Sequence, residues 1–232
     1  MSLVKPFRGV RPLKELASKV AAYPYDVINR SEAKALADSN PHSFLHVNKP
    51  EIDVSDDISP YDPLVYETGR INLDEFLSSG VLNQDDEETF YVYKQKMGSH
   101  EQVGFVAVAS VDAYDSGMIK KHEFTRPEKE DDRVQHMEAL GAQVGPVFLT
   151  YKYDDEIETL LKLVRKDPPE YDFDAEDGIR HTFWVIKDAI LRDSLNEAFN
   201  KIEALYVADG HHRSAAASRV RKLYAERNKN HS

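Results

Sequence analysis

The chain has 232 residues, no cysteine, 41 acidic against 30 basic side chains and a formal net charge of −11. This excludes disulfide staples, thiolate metal sites and a cysteine nucleophile, and argues against a broad nucleic-acid interface, which requires a basic excess or stripe. No window reaches the roughly eighteen unbroken apolar residues of a membrane span, and no basic-then-apolar leader opens the chain, so a cytosolic protein held together by packing is expected.

In the N-terminal third, Pro6, Gly9, Pro12, Pro24, Pro41, Pro50, Pro60 and Pro63 punctuate short helical patterns around residues 12–19 and 30–38. The second opens on Asn29 with Glu32 three residues on, the spacing of a capping box. Asp62 and Pro63 predict the cap and first turn of a helix to Ser79, stopped by Gly80. "TFYVYKQK" (89–96) and "QVGFVAVASV" (102–111) are β-rich runs that "MGSHE" joins as a hairpin, and a short strand is expected over 118–121. Thr125, Pro127 and Glu128 begin a helix to Leu140, stopped by Gly141. "GPVFLTYK" then reads as a strand, 154–166 as a helix, "RHTFWVIK" as a strand, 188–201 as a helix, and "ALYVA" as a strand feeding a last helix over 211–226.

This order predicts a mixed α/β (α+β) domain with a central mixed sheet and flanking helices. The most linker-like stretch is the acidic "RKDPPEYDFDAEDG" (165–178), and a sub-boundary is placed near 80–88. Residues 1–232 read as one domain or as the N-terminal fragment of a longer protein.

The chemistry concentrates in "ALYVADGHHRSAAASRV" (204–220). A strand that ends in glycine and opens a helix leaves the first N–H groups unpaired, with the positive end of the dipole behind them, which makes an anion site. Gly210 permits close backbone approach, Arg213 supplies a fork, and His211 or His212 can donate to an oxygen or move a proton. Asp209 would repel a phosphate and fits better as a Mg²⁺ ligand or a proton acceptor. The plainer alternative makes Asp209 a helix cap and both histidines surface residues.

A second constellation is "KKHEFTRPEKEDDRVQHMEALGAQ" (120–143). Lys129, Arg133 and His136 fall at i, i+4 and i+7 on one helix face, a set that could hold phosphate oxygens. The competing expectation is a solvated helix laced with pairs such as Lys129–Asp132 and Glu130–Arg133. His122 and Glu123 end a strand, where neighbours face opposite sides, and a zinc site is rejected. In "AYPYDVI" (22–28) the rigid turn at Pro24 is a device for aiming Asp26 into a pocket, or an ordinary turn. Ser43 and His46 read as exposed, but no nucleophile elbow surrounds Ser43, and neither Gly-x-Gly-x-x-Gly nor a Walker A loop occurs.

"ADGHHRSAA" resembles the phosphate-binding motif of the ParB/sulfiredoxin superfamily, most closely the Asp-Gly-x-His-Arg form of the free serine kinases. The resemblance implies a phosphate-binding helix near the C-terminus, with Asp209 as the catalytic or metal-facing acid and Gly210, His212 and Arg213 on phosphate. Over nearly the whole chain, "PFRGVRP", "YPYDVINRSEA", "NPHSFLHVNKPEID", "KKHEFTRPEKEDDRVQHMEAL" and "GPVFLTY", ending in "ADGHHR", resemble the prokaryotic family called domain of unknown function one-thousand-fifteen. Members of that family continue past the motif, which implies a fragment, and the opening Met-Ser-Leu reads as a cloning remnant. Together these imply a nucleotide-dependent phosphotransferase for a small hydroxyl metabolite, serine first, using ATP or ADP and Mg²⁺. Asp209, Asp26 and Glu123 are its candidate catalytic acids. The alternative is a nucleotide-binding regulatory module with little turnover, and a third reading is an inert interaction domain. No nucleic acid or membrane partner is expected. Proximity of Asp26 and Glu123 to Asp209 would favour chemistry.

Overall fold

Turn chemistry and capping set the N-terminal elements in a computed structural model that describes residues 2–229. After the short strands β1 (Val4–Lys5) and β2 (Val10–Pro12), the chain makes a 3₁₀ turn, Lys14–Leu16, that runs into α1 (Ala17–Val20). Next comes α2 (Arg30–Ala37), whose Asn29–Glu32 capping box closes as the spacing predicts. Then follow α3 (Leu45–Asn48), a 3₁₀ turn at Pro50–Asp53, and α4 (Pro63–Ser78), where Asp62 accepts from the Leu64 N–H and Pro63 needs no acceptor.

The strands then dominate. β3 (Leu82–Gln84), β4 (Tyr91–Met97), β5 (His100–Val106) and β6 (Val108–Ala109) lead into the short helix α5 (Val111–Asp115) and the strand β7 (Ile119–Lys120). The remainder alternates: α6 (Pro127–Leu140), β8 (Phe148–Tyr151), α7 (Asp155–Val164), β9 (Tyr171–Asp174), β10 (Arg180–Val185), α8 (Ala189–Asn200), β11 (Leu205–Asp209) and α9 (His211–Arg227).

The fold is mixed α/β, with its strands divided among several sheets. One is four-stranded and antiparallel, ordered β5-β4-β10-β9; the other main sheet is ordered β7-β11-β8, with β11 parallel to β7 and antiparallel to β8. "ALYVA" thus supplies the central strand of a mixed sheet. One face of the four-stranded sheet (Phe90, Val92, Trp184), the inner residues of β11 (Leu205, Val207) and the apolar stripes of α7 and α8 (Ile157, Leu161, Leu195, Phe199) share the main core. A second cluster, with Val20, Val47, Leu73, Phe76 and Leu140, joins α1, α3, α4 and the end of α6.

Four local expectations change. The acidic stretch 165–178 contains a strand: Tyr171 and Phe173 alternate with Asp172 and Asp174, and β9 pairs with β10 from Arg180↔Asp174 to Phe183↔Tyr171. The run 102–111 stops early because Ser110 accepts from the Ala113 N–H and starts α5. The hairpin is tighter than "MGSHE", since Met97 pairs directly with His100 across Gly98, whose φ is 58°. Ser43 is buried at 4% exposure, and His46 Nδ1 is held 2.9 Å from Asp53.

Near residues 80–88 the chain is stitched back to its beginning. β2 pairs antiparallel with β3, and Arg11 forks onto Asp85, with Nε 2.9 Å from Oδ2, while also bonding the Tyr171 hydroxyl. Among the described residues no helix is long and apolar enough to cross a membrane.

Candidate functional site

β11 delivers Asp209 to the seam, and its ladder with β8 shifts register between Val207 and Asp209, a bulge of the kind that re-aims a side chain. Gly210 follows at φ 94°, in the left-handed region that penalises any Cβ, and the chain enters α9. A Cβ here would also lie 3.2 Å from Arg213 Nε and 3.3 Å from Val147 Cγ1. The missing side chain therefore lets Arg213 fold back beneath the turn. On its other side a Cβ at Gly145 would stand 3.1 Å from Arg213 Cδ. Two glycines frame one guanidinium.

Arg213 is only 7% exposed. Its Nη2 lies 2.5 Å from Asp209 Oδ2 and 3.6 Å from Asp26 Oδ2, while Nη1 donates to the Pro146 carbonyl. Asp209 accordingly does not cap α9, and no side chain caps Gly210. The first N–H groups of a 17-residue helix are left without a side-chain acceptor beside the pocket.

That pocket encloses about 180 Å³. It is lined by residues 209–213, by Tyr25 and Asp26 from the loop after α1, and by Glu123. The loop after α1 is fixed by Tyr25, whose ring lies 4.1 Å from the Arg133 guanidinium and 6.0 Å from that of Arg213. From the 121–126 loop, His122 sets its ring edge-on against His211 at 4.4 Å, and Glu123 Oε2 stands 3.6 Å from His211 Nδ1. Both residues reach one partner because β7 ends at Lys120, so the alternation of a strand does not govern residues 121–126.

His211 is 6% exposed, and its Nε2 has no hydrogen-bond partner among the described residues. Burial, then the neighbouring His122, pushes its pKa below the ordinary histidine value, although Glu123 and Asp209 oppose the shift. His212 has a different job. Its Nε2 accepts the Arg126 backbone N–H at 3.1 Å, which puts its own proton on Nδ1 and ties the start of α6 to the start of α9. Below this junction the helices pack through Val134, Met137 and Ala216, the last fully buried.

The helix-face trio does not act together. Lys129 Nζ bonds the Tyr61 hydroxyl at 3.2 Å, away from the pocket. Arg133 is buried against Asp132, Nη2 to Oδ2 at 2.8 Å, and under the Tyr25 ring. His136 is 2% exposed and donates from Nε2 to the Val47 carbonyl at 3.0 Å. Burial, then the Arg133 cation, lowers its pKa to about 4, so it is a neutral packing group, not a phosphate ligand. The alternative pairs fail too: Asp132 takes Arg133 and the Tyr66 hydroxyl, and Glu130 takes Arg219 and Thr125. Helical spacing placed Arg133 and His136 together, but the side they share is packed against Tyr25 and α3 instead of solvent.

Asp26, Glu123 and Asp209 do line one pocket, as the chemical reading requires. Among the described residues no three histidine, aspartate or glutamate side chains close into a metal cage. Sequence reasoning missed Gly145–Pro146, which cradles Arg213 yet reads only as the start of a strand, and Tyr25, whose signal was its place beside Asp26 in a rigid turn.

No curated protein and no solved structure matches the chain. A family model described as a protein of unknown function (DUF1015) matches residues 4–232. With that match spanning nearly the whole sequence, from the first short strand to beyond the helix that carries Arg213, the chain belongs to the DUF1015 family.

Proposed function

We propose that the chain transfers a phosphoryl group from ATP or ADP to a small hydroxyl-bearing metabolite, with serine as the first candidate. The observation that carries this reading is the meeting of Asp26, Glu123 and Asp209, from three remote segments, at the uncapped start of a long helix beside a buried arginine. Helix N–H groups and Arg213 attract phosphate, whereas the carboxylates repel it unless a cation lies between them.

The donor set fits Mg²⁺, which takes one or two carboxylates and completes its shell with phosphate oxygens and water, and needs no protein cage. Bound there, Mg²⁺ would neutralise charge on the transferring group. The protein's own part is positioning. Arg213, fixed by Pro146 and the two aspartates, orients phosphate oxygens. Asp209 engages Arg213 through Oδ2, leaving Oδ1 for a cation or a substrate proton, and Asp26 is the other proton acceptor.

Isothermal titration of ADP and ATP with and without Mg²⁺, beside a serine phosphorylation assay, tests the reading. Protein that binds neither nucleotide refutes it. Binding without transfer to serine or another hydroxyl metabolite identifies a nucleotide-binding regulatory module instead.

A further inference from the structure

The pocket is too small for a whole nucleotide. Cavities that enclose ligands of that size measure roughly 300–1,000 Å³, against about 180 Å³ here, and the lining is mainly of charged and imidazole groups. With a cation to offset its carboxylates, such a pocket suits phosphates. A sugar and base would extend beyond it.

Next in the chain after Glu123, which lines the pocket, comes an exposed side chain. Phe124 is 98% exposed, the most exposed of the large apolar residues among those described. Single apolar residues at a surface ordinarily require no explanation, but this one lies on a loop anchored at three points. His122 packs on His211, Glu123 faces His211 Nδ1, and the Arg126 N–H bonds His212. Phe124 sits between those anchors and follows directly the residue that lines the pocket, yet its ring covers nothing. Asp26, which also lines the pocket, is likewise followed by an exposed apolar residue, Val27 at 63%. A charged pocket whose lining residues Glu123 and Asp26 are each followed by an exposed apolar side chain matches a ligand that is anionic at one end and planar and apolar at the other.

We infer that Phe124 is the platform on which the base of the bound nucleotide stacks, so that the phosphoryl donor is a nucleoside phosphate and not an inorganic polyphosphate. This rests on the phosphate reading of the pocket and adds to it the residue that holds the donor's other end. Every base offers a π-face to an aromatic ring, so the contact favours nucleotides as a class without choosing among them.

The test compares ADP with pyrophosphate, each with Mg²⁺, by isothermal titration on the wild type, Phe124→Ala and Phe124→Trp. Because Phe124 makes almost no contacts, both variants should fold as the wild type does. The wild type should bind ADP about tenfold or more tighter than pyrophosphate, the usual effect of one stacked base. Phe124→Ala should remove that advantage and leave pyrophosphate affinity unchanged. Phe124→Trp should keep it, and its indole emission, read against the single buried Trp184, should change with ADP and not with pyrophosphate. Phe124→Ala protein that binds ADP as the wild type does overturns the inference. Wild-type binding of pyrophosphate with no gain for ADP overturns it alone and leaves the phosphate site standing, whereas binding of neither overturns both.

Discussion

Arg213 reaches back along the first turn of its helix to Asp209, with 2.5 Å between Nη2 and Oδ2, so the buried guanidinium of the pocket is already held by a carboxylate. Asp26, 3.6 Å from the same nitrogen, adds a second negative charge. On the proposed function a phosphate would share Arg213 with these groups, and that competition shapes what each substitution should do.

Removing the guanidinium should damage both stability and binding. Arg213→Ala frees the Pro146 carbonyl and leaves Asp209 and Asp26 facing each other without their common cation. Loss of charge-assisted hydrogen bonds of this kind costs on the order of 1.5–3 kcal/mol, measurable by urea denaturation, and nucleotide affinity should fall by about ten- to a hundredfold. Arg213→Lys should not restore it, because a point charge cannot serve the carbonyl and the carboxylates together.

Asp209→Asn should separate binding from chemistry. The amide oxygen still accepts from Arg213, and the side chain is 67% exposed, so stability should hardly change. Loss of a positioned proton acceptor or cation ligand should lower phosphoryl transfer by at least about a hundredfold, while titration calorimetry finds nucleotide binding nearly intact. A variant that transfers phosphate at the wild-type rate would assign the proton to Asp26 or Glu123.

The two glycines that frame Arg213 should differ in cost. Gly210→Ala meets both a left-handed backbone, worth about 1–2 kcal/mol, and contacts of 3.2–3.3 Å with Arg213 and Val147. Gly145→Ala meets only the flexible Cδ of Arg213 at 3.1 Å and has no positive φ, so its penalty should be smaller. Thermal unfolding of both variants reads the difference directly, and equal losses would contradict the account.

His136 should make the fold sensitive to mild acid. Its pKa falls to about 4 in the folded protein, so the unfolded chain binds the extra proton first as pH drops below the ordinary histidine value near 6.5. Its contribution is fully present above about pH 6.5 and is lost between there and about pH 4, up to roughly 3 kcal/mol by proton linkage. His136→Gln retains a donor for the Val47 carbonyl but cannot titrate, and its stability should fall less steeply over that window in urea denaturation at a series of pH values.

What the sequence determined alone is what neighbouring residues decide among themselves. The limits of α6, from Pro127 in its first turn to the left-handed Gly141, the Asn29 capping box, and the strand–glycine–helix seam at 205–211 all rest on local stops, one cap and backbone freedom within a few residues, although Arg126 precedes α6 with no side-chain cap and Thr125 bonds Glu130 instead. The mixed α/β class follows from their order. The acidic strand β9 escaped detection because its warrant is pairing with β10, and the 121–126 loop broke the strand rule because β7 stops at Lys120. Which side of α6 lies inward, and hence that His136 is core and Lys129 is not in the pocket, depends on α3 and Tyr25 packing against it from positions about 90 to 110 residues earlier. The pocket's composition belongs to the same class. Asp26, Glu123 and Asp209 meet only because Tyr25 is pinned by two arginines and the 121–126 loop by two histidines, long-range contacts that no local pattern encodes.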